Sequence, residues 1–173
     1  LRAALEGHGV VTVGTVFRGD KLSGAGTPEE LRRAADVVLV EADGAKRLPL
    51  KAPAEYEPVI PPCADAVAAV AGMDAVGQAV GAVCHRPERV CALLGAGAEH
   101  VLTPEDVALL LANPQGGRKG VGEAMAFRCV LNKADTPERA AHASAVAGRL
   151  AERGIHSAIT YYREEERGGL CWF

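Results

Sequence analysis

The sequence predicts an α/β fold, a mainly parallel sheet flanked by helices, and three observations carry the prediction. Apolar residues fill 49% of the 173 positions while aromatics fill only 4%. A core of Ala, Val and Leu suits helices packed on a sheet better than an all-β interior. Apolar runs at residues 10–13, 37–40, 66–70, 127–131 and 157–161, several nearly unbroken, have the length and composition of buried parallel strands. Between them stand helix starts with a threonine followed by proline.

Taken in order, the run at 10–13 predicts a first strand. Thr27-Pro28-Glu29-Glu30 is a capping box with proline at the first helical position. The run at 37–40 predicts a strand that delivers Glu41, Asp43 and Gly44 to its carboxyl end. Residues 48–62 hold five prolines, Pro49, Pro53, Pro58, Pro61 and Pro62, which predicts an ordered or extended loop. After the strand at 66–70, Thr103-Pro104-Glu105-Asp106 repeats the capped start. The run at 127–131 leads through Thr136-Pro137 into a helix that turns Ala140, Val146, Ala147 and Leu150 to the core and ends near Gly154. Ile155 then opens the last strand. Right-handed crossovers would wind these units on both faces of the sheet, with ligands outside the carboxyl ends of the strands. Residues 1–163 are read as one domain and 164–173 as a tail without periodicity.

Composition excludes several classes of function. The net charge is −3 with both signs interspersed, so there is no basic stripe to hold a nucleic-acid backbone. Apolar runs stop well short of the roughly 20 residues of a membrane span, and no basic-then-apolar leader opens the chain; a cytoplasmic protein is expected. Cys63, Cys84, Cys91, Cys129 and Cys171 form no CxxC pair. Cys84-His85 with Cys91 lacks a fourth ligand at zinc spacing, so no structural metal is expected. Sulfur or selenium handling by Cys63 or Cys84 would require a lowered thiol pKa.

Two strand ends carry candidate chemistry. Glu41, Asp43 and Gly44 suit Mg²⁺ and a terminal phosphate: one or two carboxylates suffice for nucleotide-bound Mg²⁺, and glycine lets a backbone N–H come close. Lys46, Arg47 and Lys51 stand near enough in sequence to pair with those acids or to offer charge to phosphate. The competing interpretation is a solvated strand end. Asn132-Lys133-Ala134-Asp135 follows one strand and precedes one helix. There Asp135 would accept the N1 and N2 donors of guanine, Lys133 would lay its stem along the base, and Asn132 would brace the loop; an ordinary turn is the alternative. A third segment, Gly116-Gly117-Arg118-Lys119-Gly120, could cradle an anion with amides and cations. No Gly-x-x-x-x-Gly-Lys-Ser/Thr loop occurs anywhere.

The long run Glu41-Ala42-Asp43-Gly44-Ala45-Lys46-Arg47-Leu48-Pro49-Leu50-Lys51-Ala52-Pro53 and the following Glu57-Pro58-Val59-Ile60-Pro61 resemble the signature of the YqeC family. The likeness continues through residues 72–77, His85-Arg86-Pro87-Glu88, Thr103-Pro104-Glu105-Asp106, residues 116–120 and Asn132-Lys133-Ala134-Asp135. The resemblance implies a P-loop NTPase-like domain in an accessory or maturation factor for a selenium-dependent molybdenum hydroxylase, using GTP or ATP with Mg²⁺. It also implies Glu41 and Asp43 as the catalytic, Mg²⁺-associated acids. Gly44, Lys46, Asn132, Lys133 and Asp135 become nucleotide-binding, and the hydroxylase or its cofactor-maturation machinery becomes the partner. Family members open on a strand and a Gly-rich Lys-Thr-Thr loop, and nothing equivalent precedes Leu1. The expectation is therefore a domain lacking its N-terminal phosphate-loop unit, inactive alone, with exposed sheet that favours a homo-oligomer. The alternatives are an active GTP or ATP hydrolase when N-terminally complete, and a non-enzymatic protein-binding module.

Overall fold

Each threonine-proline pair read as a helix start opens a helix in the structure, a computed structural model that describes residues 1–17, 19, 21–24, 26–162 and 169–172. The chain divides into two compact units, Leu1–Glu41 and Ala42–Phe173.

The first unit contains α1 (Arg2–His8), β1 (Thr15–Phe17), β2 (Lys21–Ser23) and α2 (Pro28–Arg32). β1 and β2 pair antiparallel. Thr27 closes a reciprocal capping box, donating its N–H to Glu30 Oε2 at 2.8 Å and accepting from Glu30 N–H at 3.3 Å. None of its residues with a described environment is fully buried. The strands expected at 10–13 and 37–40 do not form. Val10, Val37 and Leu39 are 84%, 75% and 92% exposed. An apolar run becomes a strand only when a neighbour completes its ladder and something covers its face. Among the described residues neither condition is met there.

In the second unit the chain passes through β3 (Leu50–Lys51), β4 (Ala66–Gly72), a 3₁₀ turn (Met73–Ala75), α3 (Val80–Val83), β5 (Cys84–His85), α4 (Pro87–Leu94) and α5 (Pro104–Ala112). It continues through β6 (Ala126–Asn132), α6 (Pro137–Ala151), β7 (Ser157–Tyr161) and β8 (Gly169–Trp172). β4, β6 and β7 are parallel neighbours in that order, and β8 adds antiparallel to β7. The register runs from Ala66 opposite Ala126 to Gly72 opposite Asn132, and from Cys129 opposite Ser157 to Leu131 opposite Ile159. A separate parallel pair joins β3 to β5. The fold class is thus the expected mainly parallel α/β sheet with helices. β3 lies inside the proline-rich segment, whose Ala52, Pro53 and Ala54 are buried. Four residues of the expected tail form β8; residues 164–168 and 173 lie outside the described residues.

The core occupies one face of this sheet. Ala71, Phe127, Cys129, Leu131 and Ile159 meet Val107, Leu110 and Leu111 of α5 and Ala143, Val146, Ala147 and Leu150 of α6. On the opposite face Ala66, Ala68, Ala126 and Arg128 are exposed and Val70 is 59% exposed. Helices on both faces were expected, and topology explains the difference. From β4 to β6 to β7 the sheet grows in one direction, so right-handed crossovers deposit their helices on the same side. A doubly wound sheet needs a reversal of strand order, and the described strands contain none.

Candidate functional site

β6 ends in the turn Asn132-Lys133-Ala134-Asp135, and each polar side chain in it is engaged. Asn132 Oδ1 accepts from the Lys133 N–H at 2.8 Å and from Thr160 Oγ1 at 2.9 Å. That double acceptance steers Lys133 into the left-handed region, φ +64°, an uncommon conformation for a side chain with a Cβ. The turn is also pinned to β7 by Ala134 N–H on the Thr160 carbonyl. Lys133 Nζ reaches 2.7 Å from Asp74 Oδ2, in the 3₁₀ turn that follows β4. Asp135 Oδ1 accepts the Tyr162 N–H at 2.8 Å, and its other oxygen stands 3.8 Å from Arg139 Nη1. Asp135 therefore ties the β6 loop to the end of β7.

Asp74 is a residue that sequence reasoning missed. Its Oδ1 is buried without a hydrogen-bond partner among the described residues, whereas Oδ2 holds Lys133. Gly72 makes room for it: a Cβ on Gly72 would run into Asp74 Oδ1 and come within 2.8 Å of the Pro49 side chain. The Gly72 N–H donates to the Pro49 carbonyl at 2.8 Å, which joins this edge to the acid-glycine segment.

In that segment Asp43 Oδ2 is 3.0 Å from Lys51 Nζ, and Lys51 also donates to the Gly44 carbonyl at 2.9 Å and to Glu57 Oε2 at 2.8 Å. Arg86, at the N-cap of α4 with φ +60°, grips both oxygens of Glu57, at 2.7 and 2.9 Å. Burial pushes the Glu57 carboxyl up, but bonds from Lys51, Arg86 and the Ala54 N–H outweigh it and hold the group down at about 2. Burial, then the charges of Arg86, Lys46 and Lys51, lowers the His85 imidazole below its ordinary value. Lys46 and Arg47 are exposed and both left-handed, φ +51° and +65°. Glu41 is exposed at the end of the first unit. Glu57, Arg86 and the bridging role of Lys51 had no local signal beyond their place in a long family-like run.

The Gly116 to Gly120 loop is packed against α5. The N–H groups of Gln115, Gly116, Gly117, Arg118 and Lys119 all donate within residues 110–119. A Cβ on Gly116 would collide with the Leu110 carbonyl, and one on Gly117 would lie 2.7 Å from the Leu111 carbonyl. Lys119 Nζ donates to the Ala54 and Glu55 carbonyls, and Arg118 lies 5.7 Å from the centre of the Phe127 ring. Here glycine serves close approach, and Lys119 fastens the proline-rich loop.

Burial, with Cys91 beside it, pushes the Cys84 thiol up to about 11, and burial alone takes Cys129 to about 12. This is the opposite of nucleophile activation, so Cys84 does not meet the requirement for sulfur or selenium handling. Among the described residues no three His, Cys, Asp or Glu side chains converge as a metal set. No helix of the described residues is long and apolar enough to cross a membrane.

Comparison with known proteins agrees with the acid-glycine signature. The family described as YqeC protein matches residues 1–88. The Uncharacterized protein YqeC of Escherichia coli (strain K12) is 31% identical over 137 residues, covering 76% of this chain and 54% of the relative. The chain therefore spans about half the length of the curated relative it matches. No solved structure matches. With the family match reaching across the acid-glycine run and as far as the Arg86 that grips Glu57, the chain belongs to the YqeC protein family.

Proposed function

We propose that this chain carries part of a nucleotide site in an accessory protein that serves the maturation of a selenium-dependent molybdenum hydroxylase. The observation that supports the reading most is the Asn132-Lys133-Ala134-Asp135 turn. It stands at the carboxyl end of an interior parallel strand, braced by Thr160, with a left-handed lysine. Carboxyl strand ends are where open parallel sheets take ligands. In this reading the Lys133 stem lies along a guanine face and Asp135 accepts the N1 and N2 donors, exchanging the Tyr162 N–H and Arg139 for the base. Asp43 and Gly44 face the terminal phosphate, Lys46 contributes charge, and Asp43 serves Mg²⁺. Arg118 and Lys119, with Gly116 and Gly117, act as a scaffold beside the site rather than as the anion cradle. The hydroxylase role rests on the YqeC resemblance, and GTP is the preferred nucleotide over ATP.

A second reading, a protein-binding module, is favoured by one observation: the sheet face on which Ala66, Ala68, Ala126 and Arg128 are exposed and Val70 is 59% exposed, unusual for a parallel sheet. Calorimetric titration of GTP and ATP with Mg²⁺ into the full protein and its Asp135→Ala variant separates the two. The nucleotide reading expects guanine preference that falls at least about tenfold in the variant, about 1.4 kcal/mol. Absence of binding by either nucleotide would overturn it in favour of the binding module.

A further inference from the structure

Lys51 sits where three oxygens from two segments, Asp43-Gly44 and Glu57, converge. Its Nζ lies 3.0 Å from Asp43 Oδ2, 2.9 Å from the Gly44 carbonyl oxygen and 2.8 Å from Glu57 Oε2, and its side chain is only 12% exposed. Two carboxylates and a backbone carbonyl around one cation form a hard-oxygen donor set of the kind that holds calcium or magnesium. Here the ammonium of the chain's own lysine fills it. Arg86 takes both oxygens of Glu57 from the other side, so Glu57 cannot rotate away from Lys51 without breaking a bidentate pair. The two acids and two bases balance, and the cluster is electrically closed without any ion.

We infer that Lys51 is a tethered cation whose ammonium occupies the oxygen cradle of Asp43, Gly44 and Glu57, fixing the acid-glycine segment without metal and excluding free divalent cations from it. The inference rests on the proposed nucleotide reading only in taking Asp43 and Gly44 as the phosphate-facing segment. In that setting Lys51 holds Asp43 Oδ2, and Oδ1 is the oxygen that Asp43 would offer to an Mg²⁺ arriving with nucleotide. Lys51 is thus a positioning residue: it sets which carboxylate oxygen is presented. Size sharpens the expectation. Oxygens spaced for an ammonium at 2.8–3.0 Å must move in by about 0.4 Å to bind Ca²⁺ and by roughly 0.8 Å to bind Mg²⁺. A cradle emptied of its lysine therefore prefers Ca²⁺.

The test titrates Ca²⁺ and Mg²⁺, without nucleotide, into the chain and its Lys51→Met, Lys51→Arg and Lys51→Met/Asp43→Asn variants by calorimetry. Lys51→Met is expected to bind Ca²⁺ at least about tenfold more tightly than the parent, and Ca²⁺ more tightly than Mg²⁺. Lys51→Arg should behave as the parent, and adding Asp43→Asn should remove the gain. A lysine with only a structural role would destabilise the chain on removal but would not create a cation site. If Lys51→Met does not fold, Lys51→Gln takes its place, with Ca²⁺-dependent recovery of Tm as the second readout. Ca²⁺ binding by the lysine variants no tighter than by the parent overturns the inference while leaving the guanine titration untouched. Failure of that titration in turn leaves the cradle result standing.

Discussion

Glu57 is reached by Lys51 from six residues away and by Arg86 from 29 residues away, and its carboxyl is held at about 2 against an ordinary 4.5. A depressed carboxylate contributes stability that is complete above the unfolded pKa and is lost as the pH falls through the folded one. The contribution of Glu57 should therefore be whole at pH 6, begin to fade below about 4.5, and be gone near 2. Solvent screening reduces its size to on the order of 1–2 kcal/mol. Urea denaturation of the parent and Glu57→Gln at pH 6, 4 and 3 checks this, since the gap between them should narrow with acid; a gap independent of pH would contradict it. Gly116 supplies a second residue-scale test. Its Cβ would meet the Leu110 carbonyl, so Gly116→Ala should cost about 1–3 kcal/mol through forced backbone movement, while Gly148→Ala, with open space around it inside α6, should stabilise by about 0.5–1 kcal/mol. At this scale the sequence named Asn132, Lys133 and Asp135 by their adjacency. It was silent on Asp74, which meets Lys133 from 59 residues away, because pairing across parallel strands is set by register and leaves no local trace.

Whole elements were legible where one residue pattern answered to one physical cause. The three Thr-Pro starts did so, because the capping hydroxyl and the fixed proline φ act within four residues: Thr103 accepts from Asp106 N–H and Thr136 from Arg139 N–H. β6 and β7 were legible because their buried faces demanded apolar side chains. The runs at 10–13 and 37–40 were misread because their composition satisfies a strand's side chains while leaving its ladder to a neighbour. β8 was missed for the converse reason. An antiparallel edge strand of four residues needs little apolar alternation when its partner supplies the register. Thr103→Ala removes one capping bond and leaves Asp106 without its hydroxyl partner, at an expected cost of about 1 kcal/mol. Leu150, wholly buried at the end of α6, should cost about 2–5 kcal/mol when cut to Ala. Thermal unfolding of the two variants should rank them in that order; equal losses would mean that α6 is not the packing element its burial indicates.

At the scale of the whole molecule the two units differ in how they are held. Every residue of the hydrophobic core cluster, from Leu50 to Ile159, belongs to the second unit, while no residue with a described environment in the first is fully buried. Apolar burial is the main favourable term in folding and fixes which parts unfold together. The second unit should therefore carry nearly all of the cooperative transition, and the first should open far more readily. Hydrogen exchange provides the measurement. Amides of β6, such as those of Cys129 and Leu131, should exchange only through global unfolding, whereas those of Val37, Val38 and Leu39 should exchange within a few fold of unfolded rates. A chain beginning at Ala42 makes the stronger version of the same test. It retains the whole core cluster from Leu50 to Ile159 together with α3, α4, α5 and the long α6, so it should unfold cooperatively with a Tm within a few degrees of the parent. Protection at residues 37–39 equal to that of β6 would mean that apolar burial does not divide this chain as its core does, and a gradual, non-cooperative melt of the shortened chain would mean the same.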